Sequence, residues 1–93
     1  MKMNLECMKE MLFILEELLE FDSNMKMKLT VATIMEKKPE VKQKYHAYEM
    51  IYSLMKLQEA GYIFAKWIDD EKGKRYEVSD VTYEGHLYLD SIR

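Results

Sequence analysis

Proline occurs once in this chain, cysteine once, tryptophan once and glycine three times in 93 residues. Such scarcity of Pro and Gly excludes a collagen-like or low-complexity chain, and no internal repeat or long linker divides it. The lone Cys7 cannot form an intramolecular disulfide, which fits a reducing compartment. Positive charge is not in excess: 14 Lys plus Arg against 17 Asp plus Glu leave a net charge of -3, unlike the strongly basic surface that favours non-specific nucleic-acid binding. No apolar run approaches the roughly 18 residues a membrane span needs, and the N-terminus shows no small-residue cleavage site. A soluble, cytoplasmic protein without membrane contact is expected. What the chain does have is 48% apolar and 33% charged residues, enough for one compact domain over residues 1–93.

Leu5, Met8, Leu12, Leu15 and Leu19 recur at spacings of three and four opposite Glu6, Lys9, Glu10, Glu16, Glu17 and Glu20. This predicts an amphipathic helix of about 17 residues, capped by Asn4 and ending near Phe21 at Asp22-Ser23-Asn24. Met25, Met27 and Leu29 alternate as in a short strand. A two-turn helix capped by Thr30 should follow, closed by Pro39, which disfavours helical geometry at Lys38. A linker is expected from Glu40 to Lys44. Ala47, Met50, Ile51, Leu54 and Leu57 then mark a third helix stopped by Gly61.

Beyond Gly61 the period changes to two. Tyr62 to Ile68 and Arg75 to Val81 read as strands joined by the polar run Asp69 to Lys74, a β-hairpin. Thr82 can cap a last helix, with Gly85 at a close approach to a neighbour and Leu89 and Ile92 inward. The expected class is therefore α+β, mainly α, in the order helix, short strand, helix, helix, hairpin, helix. That is the order of a winged helix-turn-helix, with the hairpin as wing.

The ending Thr82-Tyr83-Glu84-Gly85-His86, continued by Leu89-Asp90-Ser91-Ile92-Arg93, resembles the closing motif of domain of unknown function family 2513, small proteins of bacteria and their phages. Leu57-Gln58-Glu59-Ala60-Gly61-Tyr62-Ile63 is similar to the helix-to-wing junction of that family and of many winged-helix proteins. At Ser53 the chain departs from the family, which has a histidine ahead of the leucine. The resemblance implies a winged-helix fold and brings no established chemistry with it.

Charge is segregated along the chain: residues 1–23 sum to -4, residues 24–44 to +4, residues 45–68 to zero and residues 69–93 to -3. In a helix-turn-helix the basic stretch would cross the phosphate backbone while the following helix enters the major groove. Lys37, Lys38, Lys42 and Lys44 would then hold phosphates. Tyr45, His46, Tyr48, Tyr52 and Lys56 would lie near the groove, and Lys72, Lys74 and Arg75 on the wing would reach a flanking phosphate. Against this, the third helix has no Arg to take guanine, Glu49 is expected on its exposed face, and Asp69-Asp70-Glu71 adjoins the wing lysines.

Catalysis has little support, since Cys7, His46 and His86 fall on separate helices without a nucleophile motif or glycine-rich phosphate loop. His46 and Glu49 are only a pair, too few for a metal site, so neither metal nor cofactor is expected. The expected function is duplex-DNA binding by a transcriptional regulator, as a homodimer that doubles the phosphate contacts. The alternative is a winged-helix protein-interaction module, or an inhibitor of a host or phage factor, using a stripe of Tyr45, Tyr48 and Tyr52.

Overall fold

The computed structural model describes residues 2–20 and 28–93. The expected end of the first helix at Phe21, its stop at Asp22-Ser23-Asn24, and Met25 and Met27 lie outside the described residues. The chain is α+β and mainly helical, in the order α1 (Leu5–Glu20), α2 (Val31–Lys37), α3 (Pro39–Lys44), α4 (Ala47–Glu59), β1 (Ile63–Asp70), β2 (Gly73–Val81) and α5 (Tyr83–Ile92).

Local chemistry explains most of these boundaries. Asn4 caps α1, its Oδ1 accepting the Cys7 amide at 3.0 Å, and Thr30 caps α2 by accepting the Thr33 amide at 3.3 Å. Gly61, at φ +83°, ends α4 in a paired turn: its own amide reaches the Gln58 carbonyl at 3.0 Å and the Tyr62 amide reaches Leu57 at 2.9 Å. The expected linker after Pro39 is instead the six-residue helix α3. Proline bars a helical Lys38 before it, yet its fixed φ and missing N–H suit the first position of a new helix, so one residue both closes α2 and opens α3.

The two strands form an antiparallel hairpin that runs through the charged stretch, pairing Asp69 with Lys74 and Asp70 with Gly73, so only Glu71 and Lys72 make the turn. A bulge between Phe64 and Ala65 lets both Val78 and Val81, three residues apart, face inward. Leu29 adds an isolated bridge to Val78, with amide-to-carbonyl distances of 2.9 and 2.8 Å.

The core joins α1, α2, α4, α5 and the inner hairpin face through Met11, Leu12, Leu15, Ile34, Met50, Leu54, Val78 and Leu89. The apolar stripe of α1 is rotated from the expected one. Leu5 is exposed, while Cys7, Met11 and Ile14 are buried, because α4 crosses the side of α1 that carries Cys7. The closing segment docks through its backbone. Thr82 donates from its amide and hydroxyl to the Tyr62 and Gly61 carbonyls, its Oγ1 accepts the Gly85 amide at 3.0 Å, and Gly85 lies against the Tyr62 carbonyl where any side chain would collide.

Candidate nucleic-acid interface

The basic stretch falls on α2, α3 and the residue between them. Lys37 sits in the last turn of α2 and Lys42 in the last turn of α3, both exposed and without an ion pair among the described residues. Cations at helix C-termini are favoured by the helix dipole, so these positions suit lysine whatever it contacts. Lys38 and Lys44 are engaged: Lys38 meets the two Glu17 oxygens at 3.0 and 2.8 Å, and Lys44 meets Glu10 at 3.2 Å. The acidic α1 thus lies along the basic stretch and neutralises part of it.

Glu10 gathers a second donor, the Tyr45 hydroxyl, at 2.9 Å. Burial and, after it, the Glu10 carboxylate push the Tyr45 phenol well above its ordinary value. Tyr45 therefore precedes α4 and points to α1, so the expected stripe of Tyr45, Tyr48 and Tyr52 is not continuous. His46 is the N-cap of α4, its Nδ1 accepting the Tyr48 amide at 3.3 Å while its ring stacks on Tyr48 at 5.2 Å. Tyr48 is 70% exposed. Tyr52 is half-buried, with the Lys56 ammonium 5.3 Å above its ring, and Lys56 also pairs with Glu59 at 3.1 Å. Glu49 is not on the exposed face: it is half-buried and accepts from Asn4 Nδ2 at 2.9 Å, so the Asn4 side chain caps α1 and ties α1 to α4.

At the hairpin tip the Arg75 guanidinium grips Asp70 through two bonds of 3.0 and 3.1 Å and reaches Glu77 at 2.8 Å. Arg75, helped by the Lys72 amide at 2.9 Å, holds the Asp70 carboxyl down at about 2. Lys72 and Lys74 make no ion pair among the described residues, and Lys74 lies 5.1 Å over the Trp67 ring. Of the cations expected to meet phosphate, Lys37, Lys42, Lys72 and Lys74 are exposed and unpaired among the described residues, whereas Lys38, Lys44 and Arg75 already hold carboxylates, as does Lys56, expected near the groove. Glu10, Glu17 and Trp67 were not singled out for the interface from sequence. The acids gave no signal beyond a charged helix face, because their partners are more than twenty residues away in the chain.

Elsewhere, Cys7 is fully buried; burial chiefly, with the Glu49 and Glu10 charges, raises its thiol, while the Ser53 hydroxyl opposes the shift. Ser53 is itself buried, and its Oγ meets no group in hydrogen-bond geometry among the described residues. His86 faces Glu16 at 3.4 Å, where Arg93 also binds. Among the described residues no three His, Cys, Asp or Glu side chains gather to hold a metal ion, and no helix is long and apolar enough to cross a membrane.

Residues 2–93 match a family model described as Hypothetical protein (DUF2513). No curated protein and no solved structure is significantly similar to the chain.

Proposed function

Since the chain belongs to the DUF2513 family, whose description assigns no activity, we propose from its own geometry that it is a winged helix-turn-helix protein binding duplex DNA as a transcriptional regulator. The observation that carries this reading is the shared exposure of Lys37 and Lys42 at the ends of α2 and α3 and of Lys72 and Lys74 at the hairpin tip, two cationic sets on the elements that precede and follow α4 in the chain. In this reading α4 enters the major groove, the hairpin is the wing, and the Leu29 bridge to Val78 supplies the short strand of the fold. With no Arg on α4, bidentate reading of guanine is absent, and affinity rests on phosphate contacts doubled in a homodimer.

Binding of the purified protein to random-sequence duplex at about 50 and about 200 mM salt tests it. Four phosphate contacts per chain, eight in the homodimer, predict a loss on the order of 10⁴-fold across that range. Lys37→Ala with Lys42→Ala should remove about half of the salt slope, and Lys44→Ala much less, since Glu10 already holds that ammonium. No binding at the lower salt overturns the reading.

A second reading, a protein-interaction module or inhibitor, is favoured by the Tyr48 ring, rigidified on His46 and 70% exposed. It predicts salt-tolerant capture of one protein partner that Tyr48→Ala abolishes.

A further inference from the structure

The hairpin extends past the buried core to an exposed tip. At its inner end Ile63, Val78 and Val81 close the core, but Trp67 and Tyr76 sit nearer the tip, paired across the ladder on the same inward face. There the strands and helices part and leave a groove of about 340 Å³ between the hairpin, α2 and the first turns of α4. Met35, Ala47 and Ile51 give it an apolar lining from the helix side. Trp67 meets Tyr76 edge to face at 5.2 Å and remains 44% exposed toward solvent.

Among the described residues two cations line this groove, and they are not equivalent. The Arg75 guanidinium is consumed by Asp70 and Glu77. Lys74 has Asp69 as its cross-strand partner, yet its ammonium lies over the Trp67 face and makes no ion pair among the described residues. The groove therefore combines an apolar wall, a partly exposed indole and one unneutralised positive charge beside that indole. A volume near the low end of the roughly 300–1,000 Å³ range of ligand sites admits a single small ring system.

We infer that this groove binds a small aromatic monocarboxylate, its ring against Trp67 and Ile51 and its carboxylate on the Lys74 ammonium. Aromatic character follows from the indole, whose free surface favours an offset or edge-on ring over an aliphatic chain. A single negative charge follows from the one cation available at the groove among the described residues, since a dianion would leave half its charge unpaired beside apolar walls. The site shares Lys74 with the proposed DNA-binding surface, but its argument does not rest on that proposal.

Trp67 is the chain's only tryptophan, so its emission reports on the groove directly. The full-length protein, without DNA, is titrated with 2-naphthoate, with the neutral 2-naphthamide and with phenyl phosphate, and naphthoate binding is measured independently by equilibrium dialysis. Expected are saturable binding of naphthoate, at least about tenfold weaker binding of the amide and of the phosphate, and loss of the acid-over-amide preference in Lys74→Met. Lys66→Met, a charge loss outside this groove, should keep the preference. Non-saturating titrations, equal affinity for acid and amide, preference for the phosphate, or a Lys74→Met protein that still discriminates would each overturn the inference, leaving the DNA reading untouched.

Discussion

A methyl group at position 85 would run into the Tyr62 carbonyl oxygen and stand 2.7 Å from Val81 Cγ1, neither of which belongs to a flexible chain end. Gly85→Ala is therefore expected to lift α5 from the α4–β1 junction and destabilise the fold by about 1–3 kcal/mol, measured by urea unfolding. The opposite sign is expected at Ser53. Its buried hydroxyl faces the Cys7 thiol but meets no group in hydrogen-bond geometry among the described residues, so Ser53→Ala removes a poorly compensated polar group at nearly constant volume and should raise stability by about 1 kcal/mol in the same assay. These two positions differ in how readable they were. Gly85, a poor helix former just inside a helix start capped by Thr82, signals a close approach in the sequence without naming Tyr62 as the neighbour. Ser53 looks like any helix-face serine until α1 packs over it, and nothing nearby in the chain announces that crossing. The same holds for Glu49, whose burial against Asn4 depends on a contact 45 residues away.

Among the elements, caps and periodicities were legible: Asn4, Thr30 and Thr82 cap the helices they were expected to cap, and Gly61 ends α4. Two elements outran the pattern. Pro39 reads locally only as a stop, which hides helix α3, and the strands reach into the charged run as far as Asp70 and Gly73 because cross-strand pairing of Asp70 with Arg75 substitutes for β-propensity there. That pairing gives the hairpin tip an acid dependence. Asp70 is held at about 2 against an ordinary 3.8, so its stabilising contribution is complete above about pH 4 and is lost as the pH falls toward about 2. Asp70→Asn should remove this part of the acid response. Carbon-detected NMR titration of the Asp70 carboxyl, with amide shifts of Lys72 and Arg75 as reporters, checks it; an unshifted Asp70 would contradict the observed grip of Arg75.

For the whole molecule, the opposed charge blocks of residues 1–23 and 24–44 are partly each other's partners, through Glu17 with Lys38 and Glu10 with Lys44. Such exposed pairs add little stability, but they lower the positive potential that a phosphate backbone would meet. If the chain binds DNA as proposed, Glu10→Gln with Glu17→Gln frees two ammonium groups per chain, and the log–log salt slope of binding should steepen by about 1 to 2 for each chain of the homodimer. The closing motif through which the family resemblance was visible is likewise explained at this scale. Thr82 and Gly85 dock α5 on the Gly61–Tyr62 turn, Leu89 fills the core, and Arg93 holds Glu16 of α1 at 2.6 and 2.7 Å. Its identifiable residues are those that fasten the last helix, so family membership carries fold information without naming a ligand.

By itself the sequence determined the family and, α3 apart, the described helices, the hairpin and their caps, because each of these depends on residues within one or two turns of one another. It also located the charge blocks. Only the tertiary structure decided which lysines stay available and which are held by α1, that Tyr45 and Glu49 turn inward, and that Trp67, Tyr76 and Lys74 share a groove with α2 and α4. Those outcomes depend on which faces meet when α1 crosses α4 and the hairpin folds back, and side chains tens of residues apart have no local pattern that encodes their meeting.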